Sequence, residues 1–358
     1  MPLFYIKNKI MKRSKAQSIY ARAANSLVED LQQYFVTHQG EVVDTTGGKS
    51  SFQAVEWLRD QGAHGGGVRY VATNETFFNR ASVNVSQIHY DDNASKILAS
   101  ATALSTIIHP MNPFAPSVHM HISWTEMKNG KGYWRMMADL NPAIEDAEAT
   151  ALFSECLKKV APKQYALAAE QGDRYFNIPA LERHRGVSHF YLEEYFTDNA
   201  QVDFDLAKSL GEAVIDCYVD IFSNANKAHP NPTEMDYEKQ RAYHTLYLFQ
   251  VLTLDRGTTS GLLVHDQNDL GIMGSLPAIV EKDLLISWIG KLISPQDELL
   301  KGIINALSDE IPCVVAETEK LALAQVVREH YKQHPKALSL QAQGNIIPPT
   351  VDNHRSGL

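Results

Sequence analysis

From Val118 to Thr125 the chain alternates without a break. Val118, Met120, Ile122 and Trp124 are apolar, while His119, His121, Ser123 and Thr125 are polar. Period-2 alternation marks an extended strand with one face on a core. The other face carries two imidazoles and two hydroxyls, unusual for a plain solvated edge. A turn at Lys128-Asn129-Gly130 leads into a second alternating run, Gly132–Leu140. Trp134, Met136, Ala138 and Leu140 share one face of it, and Tyr133, Arg135, Met137 and Asp139 the other. A two-residue Asn-Gly turn would pair residue 127 with 132, and a three-residue loop would pair 127 with 131. Only the second unites the two apolar faces, and a one-residue slip inverts every side chain. The expected register therefore sets Asp139 opposite His119, Met137 opposite His121 and Arg135 opposite Ser123.

Elsewhere the periodicity predicts a helix over 16–37, with Ile19, Ala23, Leu27, Leu31 and Tyr34/Phe35 on its apolar stripe. Polar, Gly-containing connections follow at 45–48 and at Gly65–Gly67, and strands are expected at 68–73 and 83–90. Residues 94–108 read as a helix ending before His109-Pro110. Helices are expected at 144–160, 163–174 and 203–225, and a strand at 243–254, rich in Leu, Tyr, Phe and Val. Ser294-Pro295 reads as an N-cap and first helical position, for a helix burying Leu299, Leu300, Ile303, Ile304 and Leu307. A last helix is expected at 316–332. Residues 1–15 read as a flexible basic lead-in, 16–333 as a single domain and 334–358 as a tail that docks loosely or frays. Strands in the middle with helices around them point to α+β with an antiparallel sheet.

Net charge bears on partners. A formal charge of −9 argues against a nucleic-acid surface, without excluding a basic pocket for an acidic substrate. The three cysteines, Cys156, Cys217 and Cys313, lack CxxC spacing and fit a reduced compartment. No apolar run approaches membrane-spanning length, and the first residues lack a secretory core, so a cytoplasmic protein is expected.

The polar strand faces build a wall of carboxylate, imidazole, guanidinium and phenol, suited to a carboxylate-bearing ligand. An ordinary solvated face with a simple His119–Asp139 pair is the bland alternative. The flanking turn-rich segment His109–Pro116 favours a site. His119 and His121 lie ~7 Å apart along one strand face, with His109 and Asp139 near, yet HExxH and CxxC spacings are absent, so no metal is assigned. Gly65–Gly67 lacks both GxGxxG and Gly-Lys-Ser/Thr spacing, and reads as a tight turn or a close ligand approach rather than a phosphate loop. There is no GxSxG elbow. His64, His184 and His189 read as structural.

Several segments in order resemble the oxygen-dependent coproporphyrinogen III oxidase family. They include Gly65–Gly67, the run 78–86, Ser105 with His109-Pro110-x-Asn112-Pro113-x-Ala115-Pro116-x-Val118-His119, Asp139-Leu140-x-Pro142, Arg185-Gly186-Val187, Asp255-Arg256-Gly257-Thr258 and Ser275-Leu276-Pro277. The resemblance covers roughly residues 20–290. It implies a large antiparallel sheet flanked on both faces by helices, in a homodimer. It also implies oxidative decarboxylation of two coproporphyrinogen III propionates to vinyls, giving protoporphyrinogen IX. Molecular oxygen is the co-substrate, carbon dioxide and hydrogen peroxide are released, and no organic redox cofactor is required. His119 and Asp139 match catalytic positions, Asp139 as the acid proposed to act at a pyrrole N–H. Ser105, His109, His121, Ser123, Arg135, Arg185 and Arg256 are the candidate substrate contacts.

The chain departs from the family where carboxylates should bind. The arginine expected in the strand after His119 is Ser123, and a glycine-rich run before the acid is Tyr133–Met137. An arginine expected after the Asp255 motif is missing from His265–Asn268. Arg135 either replaces the lost guanidinium or, with Met136 and Met137, fills space. The second case would suit a smaller electron-rich aromatic acid, or a tetrapyrrole- or acid-binding protein without chemistry.

Overall fold

The computed structural model describes residues 11–45, 52–265 and 267–354. The chain is built on a seven-stranded antiparallel sheet: β1 (Phe52–Leu58), β2 (Gly65–Ala72), β3 (Phe78–His89), β4 (Leu98–Pro110), β5 (Ser117–Met127), β6 (Gly132–Asn141) and, at the far edge, β9 (Ser188–Tyr195). The first six form a meander. A two-rung ladder of β7 (Asn177–Ile178) and β8 (Arg183–His184) precedes β9. Another pairs β10 (Ile279–Val280) with β11 (Cys313–Val314).

The hairpin has the expected register, with His119 opposite Asp139, His121 opposite Met137 and Ser123 opposite Arg135. The Met127 amide donates to the Lys131 carbonyl, and Gly130 takes a positive φ of 83° in the three-residue loop. Burial decides this. Val118, Met120, Ile122 and Trp124 are all buried. At ~1.5–3 kcal/mol per buried apolar side chain, a slip would forfeit on the order of 6–12 kcal/mol in this strand alone.

Helices α1 (Ile19–Thr45), α2 (Ala147–Val160) and α4 (Ala200–Ala228) cover the apolar face and share one core with it. The buried stripe of α1 is Ala24, Leu27, Val28, Leu31 and Phe35, while Ile19 is exposed. Steps of four drift about 40° each around a 3.6-residue turn, so the expected column leaves the core at its start. α3 (Tyr165–Phe176) packs on β9. Over the polar face stand α5 (Glu234–Thr253), α6 (Arg256–Val264), α7 (Asp269–Ile272), α8 (Lys282–Ile286), α9 (Gln296–Ala306) and α10 (Glu317–Gln333), followed by α11 (Thr350–Asn353). A second core including Tyr247, Phe249, Leu252, Leu300, Ile303 and Val327 binds α5, α9 and α10 together.

Several expectations are corrected. Residues 98–110 are a strand, not a helix. Its Ala, Ser and Thr residues mimic helix propensity, but their burial alternates along most of the strand. Residues 243–253 belong to a helix, not a strand. Every one of them is buried, and a helix enclosed on all sides shows no 3.6-residue stripe. Pro295 is the N-cap of α9, and Ser294 makes no capping bond. The described tail, 334–354, is docked, with Gln341 and Asn353 buried. Of the lead-in, 11–15 is pinned by Ser14 and Lys15 to Asp91. Residues 1–10, 46–48 of the glycine connection and 355–358 lie outside the described residues.

The triple glycine opens β2 and is neither a turn nor a ligand loop. A Cβ on Gly67 would sit 2.0 Å from the Val85 carbonyl oxygen and 2.6 Å from the Trp57 indole nitrogen. Gly67→Ala should therefore lose ~2–3 kcal/mol or more in urea unfolding. Gly130→Ala, with nothing within 4 Å, should lose only ~1–2 kcal/mol for its left-handed backbone. Equal losses would refute the close strand approach.

Candidate active site

The polar sheet face is the floor of a cavity of about 260 Å³, roofed by α5, α6, the 268–275 segment and the docked tail. Its low centre is made by Ala101, Ala103 and Ser105 of β4, which lie beside Thr125, Ser123 and His121 of β5. The small residues leave room above the sheet.

Behind this floor lies a buried ion pair. Asp139 and Arg185 both have fully buried side chains, and the Arg185 Nη2 donates to Asp139 Oδ2 at 2.9 Å. The Asn141 amide donates to the same oxygen at 2.6 Å, and Arg185 Nη1 donates to Gln250 Oε1 at 2.7 Å. The guanidinium lies between the rings of Phe176 and Tyr247, 4.3 and 4.8 Å from their centroids. Arg185 is aimed by the β7–β8 ladder and by the turn at Gly186, whose φ is 77°. A Cβ on Gly186 would meet the Leu140 carbonyl and the Asn141 side chain at 2.8 Å. Burial alone would raise the Asp139 carboxyl, but the Arg185 charge, the neighbouring His119 and the hydrogen bond from Asn141 hold it well below the usual carboxylate range.

His119 bridges this pair to the cavity. Its Nδ1 is 3.1 Å from Asp139 Oδ1 and 3.1 Å from Arg185 Nη2. A single nitrogen cannot both donate to the carboxylate and accept from the guanidinium. The hydrogen-bond geometry at Nδ1 is that of a bond accepted from Arg185 Nη2, while the neighbouring Asp139 Oδ1 is buried without a hydrogen-bond partner. The ring lines the cavity.

His121 lines the cavity with both nitrogens occupied, Nδ1 by the Ser105 hydroxyl at 2.8 Å and Nε2 by the Ser123 hydroxyl at 3.0 Å. Burial, with the Arg135 and His119 charges, pushes its pKa well down, so it is neutral. Arg135 lines the cavity opposite Ser123 but is paired to the Glu193 carboxylate. It also donates to Thr350 Oγ1 at 3.3 Å. Burial opposes its charge, yet Glu193 more than offsets this and raises the guanidinium pKa.

Three expected residues lie elsewhere. Asp139 is one pleat behind the cavity and reaches it through His119. His109 is fully buried: Nε2 donates to the Ser275 carbonyl at 3.1 Å, leaving Nδ1 to accept from the Ser117 hydroxyl at 2.9 Å. Burial and the neighbouring His244 push its pKa well down. Arg256 turns away and holds the tail through the Leu338 carbonyl at 2.8 Å. Its neighbour Asp255 caps α6 by accepting from the Thr258 amide, and accepts from the Tyr175 hydroxyl. Arg185 is committed to Asp139 and is not a free ligand arm.

Sequence reading missed Tyr191 and Glu193 on β9, and Thr350, Asn353 and His354 of the tail, all lining the cavity. The β9 residues had a signal: Phe190 and Leu192 alternate with His189, Tyr191 and Glu193, as in β5. The tail had none. Among the described residues, no group of three or more His, Cys, Asp or Glu is arranged to hold a metal.

Two outcomes follow from the ion pair. Arg185→Leu should cost about 3–5 kcal/mol in urea unfolding by stranding Asp139, and adding Asp139→Leu should recover much of it. With its carboxyl depressed, Asp139 contributes stability above the ordinary carboxylate range. The unfolded chain takes up this proton first as pH falls, so stability should drop below about pH 4 in wild type. Unfolding across pH 2–6 should show a shallower acid loss in the double leucine variant.

The family model described as Coproporphyrinogen III oxidase matches residues 23–291. The chain is 27% identical over 257 residues to the mitochondrial oxygen-dependent coproporphyrinogen-III oxidase of Rattus norvegicus, covering 64% of this chain and 57% of that one. It is 26% identical over 257 residues to the mitochondrial enzyme of Homo sapiens, covering 64% and 55%. It is 29% identical over 188 residues to the oxygen-dependent enzyme of Dictyostelium discoideum, covering 50% and 55%. The matches span little more than half the length of these relatives.

Proposed function

The chain belongs to the coproporphyrinogen III oxidase family, and from that premise we propose that it oxidatively decarboxylates the propionates of coproporphyrinogen III. In each turn the C–H bond beside the pyrrole and the bond to the carboxylate break. Carbon dioxide leaves and a vinyl double bond forms. The remaining electron pair passes to molecular oxygen, which with the released proton and one more becomes hydrogen peroxide. Two turns give protoporphyrinogen IX. Oxygen is the oxidant, and no organic cofactor enters this scheme.

The observation that carries this reading is the His119 ring on the cavity wall, with Nδ1 3.1 Å from both members of the buried Asp139–Arg185 pair. With its own proton on Nδ1, turned toward Asp139, His119 accepts a pyrrole N–H proton at Nε2, and Asp139 stabilises the imidazolium. Loss of that proton makes the ring more electron-rich toward oxygen. Ser105, Ser123 and neutral His121 supply hydrogen bonds along the floor, and Arg135 meets a carboxylate by exchanging it for Glu193. Asp139 is a positioning residue here. A homodimer in the cytoplasm belongs to the same reading. No helix among the described residues is long and apolar enough to cross a membrane.

One observation favours a second reading. The cavity of about 260 Å³ is small for a tetrapyrrole, and both guanidinium groups at its wall are already paired. A smaller electron-rich aromatic acid would fit without displacing Glu193 or the tail.

The test is aerobic conversion of coproporphyrinogen III, followed by vinyl product and peroxide. His119→Gln should lower kcat by ~10²–10⁴ with melting temperature nearly unchanged. Full activity in that variant would remove His119 from the chemistry. Oxygen uptake with a smaller aromatic acid, but none with coproporphyrinogen III, would favour the second reading.

A further inference from the structure

Three cations meet beside the cavity with no carboxylate within ion-pairing distance among the described residues. Arg69 of β2 lies opposite Asn84, and Arg80 is on the same strand as Asn84. A Cβ on Gly274 would come within 3.7 Å of the Arg69 side chain and 3.6 Å of the Ser82 hydroxyl, so the 273–275 turn sits over both. Arg80 Nη2 reaches the Val315 carbonyl at 3.4 Å, just before α10 begins. Lys320 lies in the first turn of α10, is only 6% exposed, and has no hydrogen-bond or ion-pair partner among the described residues. The Nε atoms of Arg69 and Arg80 are likewise buried and unpartnered.

Leaving one buried cation unpaired costs several kcal/mol, and like charges add repulsion. Burial, then Arg80 and Arg69, pull the Lys320 ammonium down to about 8, with only Glu317 acting against them. Burial also lowers both guanidinium groups. Arg135 and Arg185 are paired with carboxylates and the buried Arg256 donates to two backbone carbonyls, whereas Arg69, Arg80 and Lys320 share Glu317, with Glu75 at Arg80, only beyond ion-pairing distance. The exception points to a counter-ion from outside the chain.

We propose that Arg69, Arg80 and Lys320 form an oxyanion site that takes a carboxylate or phosphate group where β2 and β3 meet the start of α10. Two guanidinium forks and an ammonium suit a group with two or three oxygens. Ser82, Asn84, Gly271 and Ser275 of the cavity wall adjoin it. The anion is therefore either free in solution or an arm of a ligand held in the cavity. The site does not depend on the reaction proposed above.

The experiment titrates the full chain by calorimetry with inorganic phosphate and, separately, with coproporphyrin III, a stable tetracarboxylate. Lys320→Met removes the ammonium and keeps the length of the side chain; it should melt at or above wild type without anion. Arg69→Gln provides a second variant should the first fail to fold. Each should weaken binding of at least one ligand roughly ten- to hundredfold, while Lys208→Met on α4 leaves it unchanged. A loss for phosphate identifies a free oxyanion, and a loss confined to coproporphyrin III identifies a ligand arm. If wild type binds neither ligand, or each folded variant binds both as well as wild type does, the proposal is overturned.

Discussion

The buried pair of Arg185 and Asp139 is the constraint around which the site is arranged. Two fully buried charges persist only if each is satisfied on several sides. Here Asn141 and Gln250 supply hydrogen bonds and two aromatic rings enclose the guanidinium. These partners come from β6, α3 and α5, and the turn at Gly186 places Arg185 itself. The pair therefore locks the sheet edge, its crossing segment and the roof helix into one geometry. His119 inherits its orientation from that lock. This explains how a strand residue on an otherwise small-residue floor can hold a defined orientation facing open space.

The same logic separates side chains that work in the cavity from those that support it. His109 and His121 are both neutral imidazoles with both nitrogens engaged. One is enclosed beneath the turn at Ser275, and the other presents its ring to the cavity. Arg256 and Asp255 share a motif, yet the arginine anchors the tail and the aspartate caps a helix. A motif fixes a local backbone geometry first. Which of its side chains meet a ligand depends on the elements that pack over it.

Legibility in the sequence followed how one-sided each environment is. β5 and β6 were readable to the register because one face is core and the other polar. The same alternation brought His119, His121, Ser123 and Arg135 onto one cavity wall. β4 was opaque because a low floor demands Ala and Ser, residues that carry little strand signal. α5 was opaque because it lies between the sheet and the outer helices, where no polar stripe survives. Glu193 was missed with its strand. No local pattern can report that Thr350 lies over Arg135, since that contact joins residues 215 positions apart.

These contacts bear on how the pocket differs from what the family resemblance implies. Where an arginine was expected, Ser123 is hydrogen-bonded to His121, and the guanidinium on the partner strand is neutralised by Glu193. Both changes lower the positive charge presented to a ligand. A bound carboxylate must then outcompete Glu193, whose Oε2 also accepts from Tyr191 at 2.6 Å, or find its cation elsewhere. Arg69, Arg80 and Lys320 supply unneutralised charge at the other end of the sheet. Moving cationic charge from β5 toward β2 and α10 would change which end of a polycarboxylate is held most tightly. Since His119 is held beside Asp139 and Arg185, such a shift would move a bound polycarboxylate relative to His119 without moving His119 itself.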